Sequence, residues 1–209
     1  MSVLPEPDRK ADQRLLDAIQ TFVAGRSDDA VNRFQPGIRD WGDTWRGVPP
    51  HHLGAANTLS DCLALTAPQT HALVDGFERD KASRKWEQSY TQADGVVGED
   101  MLNGYGFAEV IGKHGPFVSS RVRAGIGVWG PHIVYPAHRH AAEEVYVVLA
   151  GRAIFRLGEA EAAHDAERLP GDAVHVPSMM THGFRTMEEP LVVFYIWQAG
   201  DLREKSSFS

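Results

Sequence analysis

The residues of this 209-residue chain that could do chemistry are concentrated between His138 and Gly151. His138 and His140 are separated by one residue, Glu144 follows, and Tyr146 stands two positions after Glu144. In an extended strand, side chains two apart point to the same face. His138 and His140 therefore share one face, and Glu144 and Tyr146 share a face with each other, so two imidazoles and a carboxylate can converge inside a barrel. A second cluster, Gly171-Asp172, Pro177 and His182, runs through a turn and a strand to another histidine. Three histidines and one glutamate make a mixed nitrogen and oxygen donor set that suits Zn, Fe, Mn, Ni or Co in an open site. His175 lies close enough to this second cluster to compete with His182 for the last ligand position. His51-His52 read as a solvated loop, and His132 and His164 as structural or surface residues.

Strands must position these groups. From about Tyr105 the chain is built of short β-branched and aromatic runs separated by Gly, Pro and Asp, the pattern of an antiparallel sandwich or barrel. The expected strands are 105–111, 118–129, 132–136, 143–150, 152–157, 172–176, 182–187 and 191–198. Arg121 to Trp129 alternates in period two, and Ala150-Gly151-Arg152 reads as a tight hairpin. This number of strands can curl into a jelly roll of two facing sheets. The first hundred residues follow a different period. Leu15, Leu16, Ile19, Phe22 and Val23 recur at helical spacing between Lys10 and Gly25. Leu59 to Leu65 predicts a short helix, and Pro68 can open a longer one running to about Tyr90. Trp41 and Trp45 read as helix-packing surface. The reading is a mainly β protein with N-terminal helices, in which residues 1–100 form a helical subdomain packed on a barrel of residues 101–209.

Composition narrows the class. A net charge of −7 argues against a nucleic-acid backbone or an anionic membrane as partner, since both reward a basic face. Cys62 is the single cysteine, so neither an intramolecular disulfide nor a cysteine metal cluster is available, and a reducing compartment suits the chain. Its apolar stretches fall short of the roughly 20 residues that span a bilayer, and residues 1–20 are charged where a signal peptide is apolar. A soluble, cytoplasmic protein is expected, with monomer or homodimer left open.

The same residues carry a resemblance. His138 to Gly151 is similar to the first cupin motif, with HxH, three residues, Glu, six residues and Gly. Gly171 to His182 is similar to the second, with Gly, five residues, Pro177 and a histidine five positions later. The chain departs from these motifs at His132 and Met179, where glycine is usual, and at Thr186, where asparagine is usual. More narrowly, the string from Tyr135 to Tyr146, with Val176-Pro177-Ser178 and His182 to Thr186, resembles the cupin-type dimethylsulfoniopropionate (DMSP) lyases. That resemblance implies a cupin jelly-roll barrel capped by helices, one metal ion, and cleavage of DMSP to dimethyl sulfide and acrylate. Tyr135 and Tyr146 match the two active-site tyrosines of that family.

The residue types suit this chemistry. A β-elimination from a 3-sulfonium propionate removes a weakly acidic proton beside a carboxylate, while the sulfide leaves neutral and needs no acid. A divalent ion (Fe, Zn or Mn) held by His138, His140, Glu144 and His182 can act as Lewis acid on the substrate carboxylate. A nearby dication favours phenolate, which makes Tyr146 the expected base and Tyr135 an orienting partner. Trp129, Phe184, Tyr195 and Trp197 lie on expected strands and could face the sulfonium. The partner is then a small zwitterionic sulfonium. The ligand set alone also fits a cupin dioxygenase or isomerase acting on another small carboxylate, or a binding cupin that turns nothing over.

Overall fold

The computed structural model describes residues 6–39, 44–159, 163–202 and 206–208, so Trp41 lies outside the described residues. Six α-helices are described: α1 (Arg9–Ala24), α2 (Asp29–Asn32), α3 (Gln35–Arg39), α4 (Thr58–Cys62), α5 (Pro68–Arg79) and α6 (Glu99–Gly104). The strands are β1 (Trp86–Glu87), β2 (Tyr105–Ile111), β3 (Val122–Trp129), β4 (Val134–Arg139), β5 (Glu143–Ala150), β6 (Ala153–Leu157), β7 (His164–Arg168), β8 (Ala173–Val176), β9 (His182–Thr186), β10 (Leu191–Gln198) and β11 (Ser207–Phe208). They form a six-stranded sheet in the order β1-β2-β3-β10-β5-β8 and a five-stranded sheet in the order β11-β4-β9-β6-β7, all antiparallel. This is the jelly-roll architecture, mainly β with helices in the first half.

Strand alternation divides the six-stranded sheet between two cores. Val145, Val147 and Leu149 of β5, with Val192, Phe194 and Ile196 of β10, pack in one cluster with Leu15, Ile19, Leu73 and Phe77 of α1 and α5. Their neighbours Tyr146, Val148, Val193, Tyr195 and Trp197 point into a second cluster between the sheets. These central strands are therefore apolar on both faces, which is why their sequences run continuously hydrophobic. Helix α1 begins where Asp8 accepts the backbone N–H groups of Lys10 and Ala11 at 2.8 and 3.3 Å. A buried pair between Arg84 and Asp12, with Trp45 Nε1 donating to Asp12 at 2.7 Å, ties α1 to the chain beyond α5.

Several expected boundaries move. The helix from Pro68 ends at Arg79 rather than near Tyr90, because Trp86 is needed as the fully buried partner of Ala108 at the sheet edge. The strand expected from 118 begins at Val122, since the Ser119 hydroxyl accepts the N–H groups of Arg121 and Val122 in a turn. The strand expected at 132–136 runs instead from Val134 to Arg139. Strand β7 was not expected, because HDAER is an edge strand largely in water and carries no apolar alternation. At the β5–β6 hairpin, Gly151 takes φ +68° and its Cα faces the Pro190 carbonyl, so no side chain fits there.

The two motif positions that lack glycine keep the backbone that glycine would adopt. His132 has φ +58° and Met179 has φ +61°. Left-handed backbone costs a non-glycine residue about 1–2 kcal/mol, and the extra chain entropy of glycine offsets about 0.5–1 kcal/mol of the relief. Met179 is exposed and loses little packing on truncation. Met179→Gly is therefore expected to stabilise the fold by about 0.5 kcal/mol, read as a rise in the midpoint of thermal unfolding followed by circular dichroism. Thr186, where the motif has asparagine, holds the same turn: its hydroxyl accepts from Ile133 N at 2.8 Å and donates to Gly130 O at 2.7 Å.

Candidate active site

The site lies between the sheets, where β4, β5 and β9 come together. His138 on β4 is opposite His182 on β9, and their rings are 4.2 Å apart. His140 lies just beyond the end of β4, and Glu144 and Tyr146 share the inner face of β5. The pairing of β4 with β9 shifts between Tyr135 and His138. Strict alternation would send Tyr135 and His138 to opposite faces. The irregularity at Pro136, which has no N–H for the ladder, turns both inward with rings 4.6 Å apart.

Each imidazole is oriented by the backbone. Nδ1 of His138, His140 and His182 lies 2.8, 2.9 and 2.9 Å from the carbonyls of Pro136, Ala142 and Met180. A carbonyl can only accept, so each Nδ1 carries the proton and each Nε2 lone pair is left to face the centre. One ring nitrogen from each histidine lies within 4.8 Å of the others. Glu144 Oε2 is 3.0 Å from His140 Nε2 and 3.4 Å from His182 Nε2, and the latter is buried without a hydrogen-bond partner among the described residues. Lone pairs facing a carboxylate at these distances call for a cation among them. The donor set fits a divalent metal ion: three buried imidazoles can hold it, with Glu144 beside them.

The electrostatics agree with that fit. Burial, helped by the neighbouring His182, pushes His138 down to about 3, so it stays neutral and able to ligate. Burial by itself would raise Glu144, but the electrostatic influence of the His140 and His182 rings beside it outweighs burial and holds the carboxyl well below its usual range, so it stays ionised. For His138 the unfolded chain binds a proton below about 6.5 and the folded chain does not until about 3, so stability falls as pH drops through that window. The chelated protein is expected to lose on the order of 2 kcal/mol between pH 7.5 and 5 from this residue. Urea unfolding midpoints at the two pH values measure it.

Beside these groups is a cavity of about 280 Å³ whose wall includes Glu144, Tyr146, Tyr135, Trp129, Tyr195 and Trp197. Phe184 is not in that wall. It packs behind it, with ring centroids 4.9 Å from Trp129 and 5.1 Å from Tyr135. Trp197 stacks on His140 at 4.0 Å. His175 is on the other face of the sheet, opposite Val145, and binds Glu143 at 2.7 Å, so it does not join the three-histidine group. His51 is bound through Nδ1 to Trp86 O at 2.6 Å, away from the site.

The family model for dimethylsulfoniopropionate lyases matches residues 45–193. The chain belongs to the DMSP lyase family. It is 32% identical over 156 residues to the DMSP lyase DddQ of Ruegeria pomeroyi, covering 74% of each chain. It is 28% identical over 199 residues to the putative DMSP lyase DddL of Cereibacter sphaeroides, covering 94% of this chain and 75% of that one. The crystal structure of DddQ from Ruegeria pomeroyi superposes with a TM-score of 0.83 at 28% identity over 97% of this chain and 98% of that one. As a member of the DMSP lyase family the chain is a carbon–sulfur lyase. No described helix is long and apolar enough to cross a membrane.

This DMSP lyase family member also carries site residues that the sequence reading passed over. Tyr105, Gln88, His114 and Arg123 line the cavity, and Tyr105 accepts the backbone N–H of Tyr90 at 2.9 Å. The segment that follows α5 therefore forms part of the cavity wall, whereas the helices cover the outer face of the six-stranded sheet. A signal for Arg123 was present. In the alternation of β3 it holds the inward phase with Gly125, Gly127 and Trp129, an arginine on an otherwise small and aromatic face.

Proposed function

We propose that the chain cleaves DMSP to dimethyl sulfide and acrylate by β-elimination, with His138, His140, Glu144 and His182 holding one Fe, Zn or Mn ion. The observation that carries the reading is the junction of two features in a DMSP lyase family member. Three backbone-oriented imidazoles and a carboxylate meet the wall of a cavity in which Tyr146 and Tyr135 stand beside them. When bound, the ion supplies a Lewis acid for the substrate carboxylate and a positive charge that draws Tyr146 toward phenolate.

Tyr146 acts as the base. It shares the inner face of β5 with Glu144, and burial and the Glu144 carboxylate push its phenol well up, so only a strong local positive charge makes it reactive near neutrality. It takes the proton from the carbon beside the carboxylate. The electron pair of that C–H bond forms the double bond, the C–S bond breaks, and its pair leaves on neutral sulfur. Tyr135, buried 4.6 Å from the His138 ring, orients the substrate. Trp129 supplies an aromatic face that favours a sulfonium, a contact worth about 0.5–2 kcal/mol, and Tyr195 and Trp197 complete an aromatic wall that excludes water. Phe184 supports Trp129 and Tyr135 from behind.

The test is headspace detection of dimethyl sulfide from metal-loaded protein and DMSP, with oxygen uptake recorded alongside. Equal dimethyl sulfide and acrylate under anaerobic conditions is the expected result. Oxygen consumption without dimethyl sulfide would favour a dioxygenase, and silence in both channels a binding protein.

A further inference from the structure

On the inner face of the six-stranded sheet, Arg123, Trp197 and Glu144 form one cross-strand row, and Gly125, Tyr195 and Tyr146 form the next. Arg123 is thus two strands from Glu144, about 10 Å at the backbone. The Arg123 guanidinium is 5.1 Å from the Trp197 ring, whose indole stacks on His140. Its Nε donates to Glu109 Oε2 at 2.7 Å, while Glu109 Oε1 accepts the backbone N–H groups of His114 and Gly115 at 2.6 and 2.9 Å. Among the described residues the two terminal nitrogens of Arg123 have no acceptor, although the side chain is only 16% exposed and lines the cavity. Two more donors in the same wall are in the same position. Tyr195 Oη and Trp197 Nε1 are both buried without a hydrogen-bond partner among the described residues.

Buried donors without acceptors are costly, and an arginine presents planar, paired N–H groups that match a carboxylate. The Glu109 carboxylate balances the charge of Arg123 but occupies only its Nε, leaving the remaining fork for a ligand. We propose that Arg123, Tyr195 and Trp197 form a second carboxylate-binding subsite in the cavity, apart from the metal ligands, that takes a small monocarboxylate. The subsite does not depend on the lyase reading. That reading decides only which carboxylate reaches it, the substrate's on entry or that of product acrylate. The sulfonium of the substrate is repelled from Arg123 and is left to the Trp129 and Tyr135 end of the cavity.

The experiment is calorimetric titration of sodium acrylate into the metal-loaded protein and into the same protein after chelation. Binding that survives chelation is expected. Arg123→Met should weaken it at least tenfold, and Tyr195→Phe, which removes a hydroxyl that bonds no described protein atom, should weaken it about tenfold. If Arg123→Met fails to fold, Tyr195→Phe and Arg123→Lys carry the test. Steady-state kinetics separate the sources. A rise in KM for DMSP larger than the fall in kcat assigns the subsite to substrate, and a rise confined to the acrylate inhibition constant assigns it to product. Acrylate binding that disappears on chelation, or that neither Tyr195→Phe nor the Arg123 variants weaken, would overturn the proposal. A protein that binds acrylate in this way yet releases no dimethyl sulfide would remove the lyase reading and leave the subsite standing.

Discussion

Replacing Tyr146 with phenylalanine is expected to lower kcat by about 10²–10⁴-fold, the scale for loss of a general base. The ring stays in place against Phe155 and Phe184, at centroid distances of 5.9 and 6.2 Å, so the inner core keeps its packing. Only the hydroxyl beside Glu144 goes, and metal content measured by atomic emission should be unchanged. The pH profile gives the sign of the effect. Burial and Glu144 both raise this phenol, so the reactive phenolate grows with pH and activity should climb to an alkaline optimum. Tyr135→Phe should act mainly on KM, because its hydroxyl is given an orienting role. A Tyr146→Phe protein with full metal content that keeps most of its dimethyl sulfide production would move the base to Tyr135 or to a metal-bound hydroxide.

The second large effect is expected from the histidine pair that sequence alone left in competition. His182→Ala should abolish metal retention and activity together, whereas His175→Ala should leave both near the wild-type level. His182 holds the inner face and offers a buried Nε2 to the centre. His175 faces outward, where it meets Glu143 and the edge of the Phe34 ring. Removing one ligand from a site of this kind costs metal before it costs fold, since the helix-facing core does not touch it. The readout is metal content after gel filtration, with circular dichroism to show that the fold persists. Full occupancy in His182→Ala with loss in His175→Ala would reverse the assignment.

What the sequence by itself determined was what short-range periodicity determines. The step from Glu144 to Tyr146 depends only on strand geometry, and the structure finds that pair on the inner side of β5; of the HxH pair His138 lies on β4 and His140 just beyond its end, both buried. The eight strands expected from their β-branched and aromatic residues were legible for the same reason, with β3 and β4 displaced at their ends. So was α1, whose apolar stripe has only one face to bury. Strand β7 was not legible, because a water-facing edge strand carries no apolar pattern, and the end of α5 was not, because Trp86 fits a helical period equally well until its strand partner Ala108 is known.

Tertiary structure decided everything that depends on which strand lies next to which. It separated His182 from His175 through the pairing of β4 with β9 and of β5 with β8. It turned Tyr135 inward through a register shift at Pro136 that no periodicity announces. It placed Phe184 behind the cavity wall rather than in it, and brought Arg123 into one row with Trp197 and Glu144 although 74 residues of chain separate Arg123 from Trp197 and 53 separate Trp197 from Glu144. The physical reason is that a strand's alternation specifies which residues share a face. Which face turns inward, and what meets it across the sheet, is set by long-range pairing and by the helices that cover the other side.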